Sequence, residues 1–198
     1  MLATRLAVLA VLVAAPPAFA QDGDPGDTPV EAGARALLFQ IGPDLRLSGF
    51  DGAALSLKWH RSAAKATRLG LTLNARVQES DDTSEQFVGS GVNAVFLTYR
   101  RSRTPVYLYH GIGPTASVSL VQREFQERDQ GFVRASAGAL AVIGVEWPVT
   151  SAISLNGEYG VSLEGTYEHQ EGGAGEDADL FGASLVSQGG RLGVSVYF

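Results

Sequence analysis

Ile153-Ser-Leu-Asn-Gly-Glu-Tyr-Gly-Val-Ser-Leu-Glu164 is the stretch that decides the fold. Its odd positions are Ile153, Leu155, Gly157, Tyr159, Val161 and Leu163. Its even positions are Ser154, Asn156, Glu158, Gly160, Ser162 and Glu164. One face is apolar and the other is polar and acidic, the period-two signature of a β-strand. A helix would scatter these residues around its circumference.

The same alternation recurs on both sides of this stretch. Leu55, Leu57 and Trp59 oppose Ser56, Lys58 and His60, and Leu69, Leu71, Leu73, Ala75 and Val77 oppose Arg68, Gly70, Thr72, Asn74 and Arg76. Val95, Leu97 and Tyr99 oppose Phe96, Thr98 and Arg100. The odd positions from Val133 to Val145 are small or branched and apolar, facing Arg134, Ser136, Gly138, Leu140, Val142 and Gly144. Leu192, Val194, Val196 and Phe198 oppose Gly193, Ser195 and Tyr197. Less regular strands around 36–42 and 106–121 bring the expected number to about eight. Parity slips in the last strand, because Phe181, Ala183 and Leu185 are odd and the later apolar set is even. Gly189-Gly190 lies between the two sets, where a bulge would absorb one residue.

Connections alternate in length. Short turns are expected at 61–65, 102–105 and 148–151, and longer polar loops at 79–89, 123–131 and 169–179. This alternation is that of an up-and-down transmembrane barrel with periplasmic turns and extracellular loops. The expectation is therefore an all-β protein, an eight-stranded antiparallel up-and-down transmembrane β-barrel over 35–198. An expected signal peptide occupies 1–20: Arg5, an apolar run from Leu6 to Ala15, then Pro16, Pro17 and an Ala18-Phe19-Ala20 cleavage signature. Residues 21–34, rich in Asp, Gly and Pro, read as a flexible periplasmic leader.

Composition narrows the chemistry. The sequence has no cysteine, which excludes disulfides, thiolate metal sites and a cysteine nucleophile. The formal charge of -6 argues against nucleic acid as a partner. No metal or other cofactor is expected, and no Asp/Asn spacing fits a calcium loop. Gly111-Ile-Gly113-Pro114 lacks the lysine and the strand-to-helix context of a phosphate loop, and marks a twist in the fifth strand instead.

A soluble secreted barrel shares the alternation, with the apolar face turned inward. Two features favour a membrane. Trp59, Tyr99, Trp147 and Phe198 share the apolar parity near the short-turn ends of their strands, as in an interfacial girdle. The opposite parity carries Lys58, Arg68, Arg76, Arg100, Arg134, Glu146, Glu158 and Glu164. This set is mixed in sign and can fill a narrow lumen with paired charges.

Two segments carry a family resemblance. The ending Leu192-Gly-Val-Ser-Val-Tyr-Phe198 resembles the C-terminal assembly signal of outer-membrane barrels, with Leu192, Val194, Val196 and Phe198 on one face. Gly52-Ala-Ala-Leu-Ser-Leu-Lys-Trp-His60 and Ala66-Thr-Arg-Leu-Gly-Leu-Thr-Leu73 resemble the second hairpin of the porin-like "outer membrane protein beta-barrel" family, of OmpX/OmpW-like architecture. The resemblance implies insertion into the cell outer membrane by the barrel-assembly machinery. It implies contact with outer-membrane lipids and lipopolysaccharide, and it implies no single activity.

The expected function is a structural or surface-interaction role through extracellular loops whose ligand the sequence does not specify, with the lumen plugged by charged side chains. A narrow channel for small or apolar solutes is the alternative. The acidic loop residues Glu79, Asp81, Asp82, Glu85, Glu168, Glu171, Glu176, Asp177 and Asp179 read first as solvated surface, and second as a cation bridge to lipopolysaccharide. No catalytic residue is expected. His60-Arg-Ser62 has the H-x-S spacing of lipid A deacylases, which use a Ser-His-Glu arrangement. It sits at a short turn, away from an outer-leaflet substrate, with no assigned acid.

Overall fold

The computed structural model describes residues 30–42, 45–46, 49–80, 83–101, 105–125, 128–171 and 178–198. The expected signal peptide, residues 21–29 of the expected leader, and Asp81, Asp82, Glu176 and Asp177 lie outside these. Eight antiparallel strands form a ring: β1 Arg35–Ile41, β2 Gly49–Ser62, β3 Lys65–Ser80, β4 Thr83–Arg101, β5 Tyr107–Phe125, β6 Arg128–Pro148, β7 Ile153–Glu171 and β8 Ala178–Tyr197. A two-residue strand, Leu45–Arg46, pairs with the start of β2. Each strand pairs with its sequence neighbours, and β1 closes the ring by pairing with both β2 and β8. Leu37 stands opposite Leu57 on one side and Val196 on the other. β1 covers residues 192–197 of β8, and among the described residues 178–191 of β8 pair with β7 alone.

The polarity of the ring is inverted relative to a protein in water. Ile112, Ile143, Leu163 and Leu192 point outward and are 61%, 64%, 62% and 75% exposed, whereas Lys58, Arg68 and Glu146 inside are 1–2% exposed. Such a continuous apolar exterior would drive aggregation in water and is well solvated by lipid.

The strands are longer than the membrane needs. β2 to β8 run for 14 to 21 residues, against roughly 9–11 for a tilted span. The excess lies on the side expected to carry long loops. Pairing continues to Ser80 opposite Thr83, Phe125 opposite Arg128 and Gln170 opposite Ala178. Much of what the polar sequence suggests as loop is therefore ladder. With water on both faces the alternation fades, but the backbone hydrogen bonds persist.

The parity slip in β8 is a bulge. Gly160 stands opposite Gly189 and Val161 opposite Ser187, so Gln188 is the extra residue. Gly189 has φ of 67°, in the left-handed region that favours glycine. The bulge keeps both Phe181 and Leu192 on the outside, at 82% and 75% exposure.

The expectation for β4 requires correction. Val95, Leu97 and Tyr99 face the lumen at 0%, 3% and 4% exposure, while Phe96 and Arg100 face out. The ladder decides this: Arg68 stands opposite Val95, and residues opposite each other share a face. Locally, 95–100 has apolar residues on both parities, so alternation alone cannot choose. Tyr99 therefore leaves the expected girdle and Arg100 leaves the expected lumen network.

The last part of the expected leader also folds onto the ring. The Gly33 amide donates to the His60 carbonyl and the His60 amide to the Ala34 carbonyl, at 2.8 Å each. Val30, 1% exposed, joins the apolar cluster of Val95, Leu97, Tyr99, Tyr107, Tyr109, Leu140 and Val142.

Candidate functional site: the lumen network

Even positions on β2, β3, β6 and β7, and odd positions on β4, β5 and the end of β8, point into the lumen. This brings distant charges together. From β2, the Lys58 ammonium donates to both oxygens of Glu146 on β6 at 2.7 Å, and to Ser195 Oγ at 3.3 Å. Glu146 also accepts from the hydroxyls of Ser154 (2.5 Å), Tyr197 (2.6 Å) and Tyr99 (3.0 Å). The Lys58 ammonium lies 5.0 Å from the centre of the Tyr197 ring and 5.9 Å from that of Tyr99, within cation–π range. His60 packs against both rings, and its Nε2 lies 3.4 Å from the Tyr197 hydroxyl.

A second pair sits beside the first. Arg68 forks onto both oxygens of Glu158, at 2.5 and 3.0 Å, and the Tyr109 hydroxyl donates to the same carboxylate at 3.0 Å. Burying a charge is costly unless its lone pairs and protons are matched. Here both carboxylates are matched by a cation and by hydroxyls. Leu97, Leu140 and Val142, with the tyrosine rings, fill the space around the pairs.

Towards the long-strand end the lumen is lined by hydroxyls. Ser162 and Ser136 donate to Glu164 at 2.6 and 2.7 Å, and Ser136 also meets Ser117 at 2.8 Å. At the rim Arg134 donates to Glu168 through Nε (2.8 Å) and an η nitrogen (2.5 Å). Its side chain is 58% exposed, so this pair contributes little.

The structure thus gathers Lys58, Arg68, Glu146 and Glu158 into two buried pairs and puts Glu164 on hydroxyls. Arg134 stands at the rim, Arg100 lies outside the barrel, and the Arg76 side chain lies outside the described set. Alternation puts Ser154 and Tyr197 on the polar parity without naming their partners, and does not reveal Tyr99 and Tyr109. Tyrosine scores as apolar in such a pattern, although its hydroxyl is what completes each carboxylate.

Trp59, Trp147 and Phe198 ring the exterior at the short-turn end, where the Phe198 amide also donates to the Arg35 carbonyl at 3.0 Å. A second aromatic pair, Tyr167 and Phe181, lies outside at the other end with ring centres 5.1 Å apart. Leu155, opposite Trp147, is twelve residues from Tyr167. At roughly 3.3 Å per residue and a tilt of about 40°, the two aromatic bands stand about 30 Å apart. That matches a bilayer's hydrocarbon thickness.

His60 and Ser62 are not brought together. Ser62 Oγ accepts the Ala64 amide in the turn at 3.3 Å, while His60 lies among the lumen tyrosines.

No family model matches the sequence, and a search of curated proteins finds no match. Solved structures do match. A major outer membrane protein from Thermus thermophilus is 15% identical with a TM-score of 0.60, covering 85% of this chain and 100% of that one. Ail, the attachment invasion locus protein of Yersinia pestis, is 13% identical with a TM-score of 0.45, covering 84% and 99%. Acinetobacter baumannii CarO is 12% identical with a TM-score of 0.45, covering 85% and 98%. The Thermus match carries the comparison. The chain has the fold of a small outer-membrane β-barrel, with an apolar exterior.

Proposed function

We propose that this chain is an integral outer-membrane barrel with a plugged lumen. In this reading it acts as a structural or surface-interaction protein through the strand extensions and connections at its long end. The observation that carries this reading is the pair of buried ion pairs across the lumen, Lys58–Glu146 and Arg68–Glu158, each completed by tyrosine hydroxyls. An eight-stranded ring is just wide enough for side chains to fill. Two ion pairs, three tyrosine rings and the apolar cluster that includes Val30 take up that width near the periplasmic end. The polar strand extensions present the surface that a partner or lipopolysaccharide would meet.

Planar-bilayer recording tests the reading. Purified mature protein is expected to insert without steady unitary currents. Reproducible channels from protein free of contaminating porins would overturn the plug and favour the narrow channel.

A further inference from the structure

One groove on the exterior plays no part in the lumen network. It has a volume of about 590 Å³ and is lined by Arg100, Leu108, His110, Ile143, Val145 and Tyr159, with Gly157 in its floor. Tyr109, Gly144 and Glu158 alternate with these residues; Tyr109 and Glu158 turn their side chains into the lumen. Gly157 occupies an outward position of β7 and has no side chain. A Cβ there would stand 3.7 Å from both Leu192 Cδ2 and Val145 Cγ2, so the dent is real space that a larger residue would fill.

The groove has a direction. Arg100 is one residue from the end of β4 and Leu108 one from the start of β5, so its charged end lies at the short-turn rim. Trp147 of the girdle is likewise one residue from the end of β6. Gly157 and Tyr159 are four and six residues into β7, within the apolar band. A cation thus sits at headgroup level and an apolar channel runs from it into the bilayer. Arg100 and His110 make no ion pair or side-chain hydrogen bond among the described residues.

We propose that this groove binds one anionic phospholipid of the periplasmic leaflet. The Arg100 guanidinium, assisted by His110, holds the phosphate, and an acyl chain lies over Gly157 between Ile143, Val145 and Tyr159. Guanidinium matches phosphate with paired N–H donors. A cation in the interface reaches toward the headgroups while its stem stays in the apolar layer. A protein helix or a second barrel would gain nothing from a cation at this end and an apolar trough at the other. The site rests on the outer-membrane reading above, because only there does a lipid leaflet face it.

Native mass spectrometry of the full chain in mild detergent tests the site, with phosphatidylglycerol and phosphatidylcholine of identical acyl chains as probes. Wild type is expected to retain one phosphatidylglycerol about tenfold more strongly than phosphatidylcholine. R100Q/H110Q is expected to abolish the preference. G157L is expected to weaken retention of both lipids, and R35Q, at an exposed rim cation on β1, to change neither. Heat-modifiable gel migration verifies that each variant is folded. Equal retention of the two lipids by folded wild type would overturn the site and leave the barrel reading intact. So would an undiminished preference in R100Q/H110Q, or preferential capture of lipopolysaccharide through Arg100. A chain that stays soluble without detergent would overturn both.

Discussion

At the scale of single residues, Glu146 is the member of the lumen on which most others depend. It receives Lys58 and three hydroxyls. Removing the carboxylate leaves the buried ammonium with only Ser195 Oγ and the tyrosine rings, and takes the acceptor from three hydroxyls. Removing Lys58 leaves a carboxylate that still has three donors. E146A is therefore expected to cost about 3–5 kcal/mol, and K58M clearly less. Urea titration of the protein folded into vesicles measures both, and equal losses would contradict the assignment. The Asp179 carboxyl, beyond the outer aromatic band, is held below its ordinary range by hydrogen bonds from His169 and then Tyr167. With the folded value depressed, its contribution is present above the usual carboxylate range and is lost as pH falls through the depressed value. Carboxyl NMR titration of Asp179 in wild type and H169A is expected to give a higher midpoint in the variant.

At the scale of strands, the bulge at Gln188 and the close approach at Gly113 carry the clearest consequences. Deleting Gln188 would turn Phe181, Ala183 and Leu185 into the lumen and their neighbours out. The deletion is expected to prevent assembly, read as loss of the fast-migrating folded band. Gly113 precedes Pro114, which has no amide to give, and a Cβ on Gly113 would overlap the Ala94 carbonyl of β4. G113A is expected to destabilise by about 1–3 kcal/mol through forced backbone shifts, read in the same urea titration. These elements also show what a sequence can reveal. The bulge beside Gly189 and the inward charges of β2, β3, β6 and β7 follow from clean alternation, and the strand number from that together with the two less regular stretches around 36–42 and 106–121. The face of β4 does not, because Val95-Phe96-Leu97 is apolar at every position and only pairing with β3 selects a side. The ladder extensions past the membrane are equally silent, since residues with water on both faces need no alternation. The outer band of Tyr167 and Phe181 is masked by the parity change at the bulge.

At the scale of the whole molecule, the usual polarity is inverted: paired charges lie inside and leucine, isoleucine and aromatic residues outside, on a ring that β1 closes. These features are consistent only if the surrounding medium is a bilayer. On the proposed reading, the Lys58–Glu146 and Arg68–Glu158 pairs fill the lumen and the exterior groove at Gly157 takes a lipid. The most direct test is to fractionate cells expressing the full chain and run the membrane extract on a gel with and without boiling. Recovery in the outer-membrane fraction, release only by detergent, and faster migration of the unboiled band are expected. Recovery of the mature protein in the soluble periplasmic fraction, with identical migration in both lanes, would contradict the outer-membrane reading.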